Sequence, residues 1–108
     1  MFIEVMKSKI HRMMVTESDL NYVGSITIDE SVMIAAGLVE NEKVDVNNVN
    51  NGERITTYVK PGKAGSKICC LNGPSARKGM VGDLVVIISY GQIDFAEAPF
   101  FKPKIVHP

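Results

Sequence analysis

Short apolar segments rich in valine and isoleucine, interrupted every few residues by turn signals, run through the whole chain. Segments of this length with β-branched residues indicate strands, and closely spaced turns favour a small β-barrel over an α/β sheet. The 108 residues, of which 45% are hydrophobic, suffice for one domain without an internal boundary. We therefore predict a single mainly β domain over residues 1–108, with one or two short helices.

The predicted strands are Lys7–Thr16, the second half of Tyr22–Ile28, Glu42–Val49, Glu53–Lys60, Ile68–Leu71 and Asp83–Tyr90. Asn50-Asn51-Gly52 predicts a hairpin, since Asn-Gly suits a turn whose two central residues both take positive φ. A capping residue, an acidic first turn and a final glycine predict a helix over Asp29–Gly37 that seals one barrel end. Residues 72–76 predict a turn into a helical turn. From Gly91 onward, three prolines predict irregular structure that shapes only the surface.

Charge and apolar patterning exclude several classes of function. Twelve basic residues balance twelve acidic ones without a Lys/Arg run, so we expect no nucleic-acid binding. No apolar stretch approaches the roughly 20 residues that span a bilayer, and Glu4 interrupts the place of a signal peptide's apolar region. We therefore expect no membrane association and a cytoplasmic protein. Cys69 and Cys70 are neighbours on a strand and point to opposite faces, which predicts neither a disulfide nor a metal pair, only filling of a buried strand.

Three other chemistries lack part of their pattern. His11 and His107 are candidate metal ligands, but no third or fourth ligand stands at a recognisable spacing, so no metal site is predicted. Serine hydrolysis would need a Gly-x-Ser-x-Gly elbow, which is absent. Gly65-Ser66-Lys67 lacks the glycine spacing of a phosphate loop and indicates a solvated hairpin tip.

Cationic and aromatic residues form a more informative set. Lys9 and His11 are two residues apart on one predicted strand and share a face, and Arg54 and Tyr58 do so on another. Each cation alone could be surface decoration. Taken together with Gly24-Ser25, where glycine gives the backbone freedom before a strand, they predict a functional site.

These motifs, in this order and at this spacing, resemble the bacterial pyruvoyl-dependent aspartate 1-decarboxylases (aspartate alpha-decarboxylases) over nearly the whole chain. The residues that carry the resemblance are Lys9–Arg12, Leu20–Asp29, Ala35–Leu38, Asn51–Tyr58, Asn72-Gly73 and Val81–Asp83. The resemblance implies a double-psi β-barrel and a homotetramer with active sites at subunit interfaces. It also implies synthesis of β-alanine from L-aspartate, for pantothenate and coenzyme A.

The resemblance further implies a zymogen that cuts itself into residues 1–24, the beta chain, and 25–108, the alpha chain. The Ser25 hydroxyl would attack the Gly24 carbonyl carbon, with Thr57 donating to the oxyanion, and elimination and loss of ammonia would leave a pyruvoyl group. That group, in place of a metal or pyridoxal phosphate, would form a Schiff base with aspartate and act as the electron sink.

Further residues receive roles by the same resemblance. Tyr58 is the proton donor, and Lys9 and Arg54 supply the positive charge that two substrate carboxylates need. The other substrate-binding positions are Thr57, Gly73, Pro74 and Ser75, and the supporting ones are His11, Tyr22 and Asn72. Pro74 and Ser75 depart from the small, alanine-like residues that are common in the family, and Pro74 lacks an amide donor. Asn47 stands where some members have a tryptophan, which affects the packing of the pocket. Thr57 and Tyr58 are neighbours on one predicted strand and therefore point to opposite faces. To place both around one site, as the resemblance implies, the strand must twist, bulge or lie against a neighbouring subunit.

Two alternatives remain open from the sequence. The first is a non-catalytic double-psi barrel that serves as a binding module, which a basic face would favour. The second is a family member that stays unprocessed, since self-cleavage in some members uses a maturation factor.

Overall fold

Eight strands, one α-helix and two 3₁₀ turns make up a computed structural model that describes residues 1–108. The strands are β1 (Phe2–Met14), β2 (Glu17–Asp19), β3 (Ser25–Asp29), β4 (Lys43–Asn48), β5 (Arg54–Gly62), β6 (Cys69–Asn72), β7 (Leu84–Asp94) and β8 (Lys104–Val106). Helix α1 is Glu30–Ala36, and the 3₁₀ turns are Gly73–Arg77 and Ala98–Phe100. Neither kind of helix has the length and apolar character that crossing a membrane requires. The mainly β prediction with short helices is confirmed.

The strands form one sheet that closes on itself. Their order across the sheet is β2-β6-β3-β5-β4-β7-β1-β8, so the consecutive strands β1 and β2 lie towards its opposite ends. Only Val15 and Thr16 separate these two strands. The Thr16 amide donates to the Cys69 carbonyl at 2.9 Å, and the Cys69 amide donates to Thr16 Oγ1 at 2.9 Å. These bonds join the end of β1 to the start of β6 and complete a small barrel.

A cluster of fifteen buried apolar residues fills the barrel. Alternate residues of the strands point inward, and Ile10, Ile26 and Ile28 are fully buried. Burial of each such side chain stabilises the fold by about 1.5–3 kcal/mol. Met33 and Ala36 of α1 join the same cluster. The helix that the capping residue and the final glycine predicted is therefore present, and it packs on the core.

The β4–β5 hairpin is confirmed, but its turn differs from the prediction. Among Asn50, Asn51 and Gly52, only Gly52 has a positive φ, at 76°. Asn48 Oδ1 accepts the Asn50 amide at 2.8 Å and the Asn51 amide at 3.3 Å. The Gly52 amide then donates to the Asn48 carbonyl at 3.0 Å. Asn48 thus organises a longer loop than the two-residue turn that Asn-Gly predicts.

The prediction of irregular structure from Gly91 onward is wrong. β7 continues to Asp94 and pairs with β1 back to Phe2, and β8 pairs in parallel with Ser8–Ile10. Pro103 precedes β8 and therefore removes no ladder hydrogen bond from it. The prolines of this segment limit strand length without preventing strands.

Candidate active site

Ser25 begins β3 in a conformation that residues with a side chain rarely adopt. Its φ is 131°, and its exposed fraction is 0%. Backbone strain of this kind is typically about 1–3 kcal/mol and persists only where the surroundings determine it. Asn72, opposite Ser25 on β6, donates from Nδ2 to Ser25 Oγ at 3.1 Å and to Thr27 Oγ1 at 2.9 Å. The hydroxyl is therefore buried and oriented next to the peptide bond that joins Ser25 to Gly24.

The carbonyl of that peptide bond has a phenol as its partner. The Tyr58 hydroxyl donates to Gly24 O at 3.0 Å. β3 and β5 are parallel, with Ile26 opposite Val59, so Tyr58 lies level with Ser25. Thr57 is half-buried at the preceding position of β5, and its hydroxyl does not donate to Gly24 O. The contact with the carbonyl oxygen therefore comes from Tyr58.

The 3₁₀ turn after β6 packs on the same peptide unit. A Cβ on Gly73 would lie 2.8 Å from Tyr22 O and 3.0 Å from Gly24 N and Cα, and Gly73 has a φ of 61°. Only glycine meets both requirements without a shift of backbone. In the next two positions, Pro74 is exposed and Ser75 is buried. The turn thus lies directly against the predicted cut site.

Cys70 is a member of this site that the sequence did not indicate. Its Sγ donates to Asn72 Oδ1 at 3.1 Å, so the Asn72 amide is oriented with Nδ2 towards Ser25. Burial, together with the negative charge of Glu17, raises the pKa of the Cys70 thiol and keeps it in the donor form. Cys70 is buried in β6, as the sequence predicts, and in addition it donates to Asn72. Cys69 lies in the apolar core, where burial raises its pKa to about 12, as filling predicts.

Lys9 and His11 lie on β1, a strand that pairs with neither β3 nor β5. Lys9 is flanked by β7 and β8, and β1 is separated from β5 by β4 and β7. The β1–β7 register shifts between Ile10 and Met13, where Arg12 takes a φ of 63°. This bulge follows His11, whose ring contacts that of His107. No group of three or more potential metal ligands forms in the chain.

Burial lowers the pKa of His11, and the charge of Lys9 lowers it further. The imidazole is therefore neutral near neutral pH, beside a cationic ammonium group.

Arg54 is exposed at the start of β5. It lies four residues before Tyr58, which is about 13 Å along a strand. The β4–β5 ladder has no register shift between these two residues, so a bulge does not bring Arg54 and Thr57 to one face. Five surface cavities, with volumes of up to about 540 Å³, have no lining from Ser25, Tyr58 or Arg54.

Within one chain, ten of the twelve predicted site residues separate into two groups, and the other two, Thr57 and Ser75, lie next to members of the first group along the chain. The first group surrounds the cut site and consists of Tyr22, Gly24, Ser25, Tyr58, Asn72, Gly73 and Pro74. The second group, which makes no hydrogen bond to the first, consists of two cationic residues and one histidine: Lys9, Arg54 and His11.

Known proteins are similar to this chain over most or all of its length. The family model described as aspartate decarboxylase matches residues 1–108. An aspartate 1-decarboxylase of Parabacteroides distasonis is 57% identical over 108 residues, which are 100% of this chain and 93% of that protein. One of Caldicellulosiruptor bescii is 59% identical over 106 residues, 98% of this chain and 83% of the relative. Among solved structures, the computationally designed msDPBB_sym2 protein matches with a TM-score of 0.48 and 19% identity, over 79% of this chain and 96% of that chain.

Proposed function

This chain belongs to the aspartate decarboxylase family, and on that premise we propose that it cuts itself at Gly24-Ser25 and then decarboxylates L-aspartate to β-alanine. The observation that carries the proposal is the buried Ser25 hydroxyl, held by Asn72 in a strained backbone next to the Gly24 carbonyl. Cutting yields residues 1–24 and 25–108, with a pyruvoyl group in place of Ser25. We assign the product to pantothenate and coenzyme A synthesis in the cytoplasm.

The first step of self-cleavage is an N-to-O acyl shift. Ser25 Oγ attacks the Gly24 carbonyl carbon, the C–N bond breaks as the ester C–O bond forms, and the hydroxyl proton moves to the new amine. The strained backbone of Ser25 favours this step, because breaking the Gly24–Ser25 peptide bond releases Ser25 from its positive φ. Thr57 is the proposed donor to the tetrahedral oxyanion, a contact that is typically worth about 3 kcal/mol.

The second stage releases the two chains. Loss of the Cα proton at position 25 breaks the Cβ–O bond, which frees Gly24 as a carboxylate and leaves a dehydroalanine. Addition of water and loss of ammonia then leave a ketone. The surroundings fit this group, because Asn72 Nδ2 can donate to a carbonyl oxygen as it does to the hydroxyl. The pyruvoyl group supplies the electron sink for the pair released as carbon dioxide leaves.

Binding of aspartate requires the cationic residues. Lys9 and Arg54 are proposed to hold the two carboxylates, with His11 in support and with the backbone of residues 73–75 as a further wall. Tyr58, freed from Gly24 O once the peptide bond is cut, is proposed to return the proton to the product carbon.

A second subunit is needed to complete such a site. Within one chain neither Lys9 nor Arg54 makes a side-chain hydrogen bond to Ser25 or its neighbours, so we propose a homotetramer in which neighbouring subunits supply these cations at an interface. The apolar side chains beside the cut site support this, since Tyr22 is 56% and Val23 is 77% exposed. Apolar surface of this kind marks contact regions when it is contiguous.

Denaturing mass spectrometry of the purified protein tests the proposal directly. We expect masses for residues 1–24 and 25–108, the latter without an N-terminal amine. Ser25→Ala should stay intact and release no carbon dioxide from L-aspartate. Ser89→Ala is the matched control, because Ser89 is also a buried serine with one hydroxyl partner, Ser8, yet lies on β7; it should be cut normally.

Other outcomes separate the alternatives. An intact wild-type chain after prolonged warming, with no carbon dioxide release, would favour the non-catalytic binding module. An intact chain that is cut after addition of cell extract would instead indicate a maturation factor.

Two further variants separate the hydroxyls of β5. Thr57→Val should block cutting, because the oxyanion loses its donor. Tyr58→Phe should still be cut, because its contact is with the planar carbonyl, but turnover should fall by about 100-fold or more as the proton donor is lost. Unchanged turnover in the Tyr58→Phe enzyme would remove Tyr58 from that role.

A further inference from the structure

β8 places His107 against His11. The two strands run parallel, with Ile105 opposite Lys9 and Val106 opposite Ile10. The residue that follows is a histidine in both cases, His11 within β1 and His107 just after β8. The two rings meet edge to face, with centroids 5.5 Å apart and planes at 75°. This geometry is that of a favourable aromatic pair. The register of two strands therefore sets the contact.

The two nitrogens of His11 have different surroundings. Nδ1 is buried and is the only buried side-chain nitrogen or oxygen without a hydrogen-bond partner, whereas Nε2 also has no partner in the chain but is not buried. A buried N–H without an acceptor is rarer and less favourable than a lone pair without a donor. Nδ1 is therefore the bare nitrogen of the neutral ring, and Nε2 carries the hydrogen. The ring presents one N–H outward, near Lys9.

We propose that His107 is a positioning residue: it fixes the ring plane of His11 so that Nε2–H and Lys9 donate together to a carboxylate of aspartate. The proposal rests on the proposed function, which makes this surface one half of the substrate site. Without the edge-to-face contact, the His11 ring can turn and present Nδ1 instead. His107 does not itself touch the substrate. The segment that ends in β8 and His107, expected from the sequence to shape only the surface, thereby supports the binding site through His11.

Kinetics of two matched variants test this role. His107→Phe keeps an aromatic ring against His11, whereas His107→Leu has a side chain of similar reach without a ring. We expect KM for L-aspartate to rise by about three- to tenfold in His107→Leu and to change by less than about twofold in His107→Phe, with kcat unchanged in both. Equal KM values in all three proteins would overturn the proposal, and so would equal increases in both variants.

The tautomer of His11 is a readout that needs no activity. Long-range ¹H–¹⁵N correlation of the imidazole nitrogens should show hydrogen on Nε2 in the wild type and in His107→Phe, and a mixture of tautomers in His107→Leu. If the three proteins show these tautomers but the wild type releases no carbon dioxide from L-aspartate, the proposed function is overturned, and the role of His107 in positioning His11 is supported. The same tautomer in all three proteins, or hydrogen on Nδ1 in the wild type, would overturn the positioning whatever the activity.

Discussion

Ser25 and Asp29 stand at the two ends of β3, and both are buried polar residues, at 0% and 1% exposure. Asp29 accepts four hydrogen bonds, from Ser31 N, Ser31 Oγ, Gly65 N and Lys67 N. Hydrogen bonding from the Ser31 side chain is the main reason that the pKa of Asp29 lies well below its ordinary value. Ser25 has a positive φ and one side-chain partner, Asn72. One end of the strand is saturated with hydrogen bonds, and the other is strained.

Five residues of β3 thus hold a structural position at Asp29 and the position of the proposed reaction at Ser25. A strained conformation persists only where packing on all sides determines it. The bonds at Asp29 join β3 to α1 and to the loop before β6, which fixes the strand lengthwise. The strand order sets β5 on one side of Ser25 and β6 on the other. The strained end is therefore held by β5 and β6, whereas the bonds at Asp29 fix the other end of the strand.

Gly73→Ala should affect the strained end most. Its Cβ would meet Tyr22 O and Gly24 N at 3.0 Å or less, so the scissile peptide must shift. A misplacement of this size typically slows a reaction by about 100-fold, and we expect at least that loss in the rate of cutting, followed by intact mass over time. Gly52→Ala is the control, since Gly52 also has a positive φ but no atom within 4 Å of the added Cβ.

Both glycine variants should lose about 1–2 kcal/mol of unfolding free energy from the positive φ alone. Only Gly73→Ala should lose cutting as well. Equal cutting rates in the two variants would show that the contact with Gly24 has no part in the reaction.

Cys70→Ala should have a smaller effect on the same end. Asn72 Oδ1 loses its donor, so the amide that holds Ser25 Oγ can turn. The loss of one neutral hydrogen bond predicts a cutting rate lower by about two- to tenfold. Cys70→Ser keeps a donor and should restore most of the rate. Cys69→Ala removes a buried thiol that lies in the apolar core instead, and it should cut at the wild-type rate. Cutting of Cys70→Ala at the wild-type rate would contradict the role of Cys70 in orienting Asn72.

The two ends of β3 also differ in how far the sequence predicts them. The cap at Asp29 is local, because Ser31 lies two residues away, and the capping pattern predicted it. The bonds to Gly65 and Lys67 span 36 and 38 residues and leave no local pattern. At the other end, the contacts of Gly24 with Tyr58 and of Ser25 with Asn72 span 34 and 47 residues. They depend on strand order, which residue periodicity does not encode.

Family resemblance supplied part of what periodicity could not. It pointed to Tyr58, Asn72 and Gly73, which do surround Gly24 and Ser25. It did not point to Cys70, because the role of a thiol at this position depends on the orientation of the Asn72 amide. β8 was missed for a similar reason, since a three-residue strand between prolines has too few residues to show alternation.

Asp29→Asn changes the hydrogen-bonded end of β3 and should leave the rate of cutting unchanged within about twofold, since Asp29 and Ser25 lie about 13 Å apart along the strand.

The effect of Asp29→Asn should be on stability and should depend on pH. The folded-state pKa of Asp29 is depressed, so its stabilisation is fully present above the unfolded pKa of about 4 and is lost as the pH falls below that value. The Tm of Asp29→Asn should therefore lie clearly below that of the wild type at about pH 7, and the gap should narrow at about pH 3. Asp45→Asn, which removes a carboxylate with one side-chain partner, Thr56, should give a smaller gap. Thermal unfolding followed by circular dichroism at both pH values measures these gaps, and a gap for Asp29→Asn that stays constant with pH would mean that the charge of this carboxylate does not stabilise the strand.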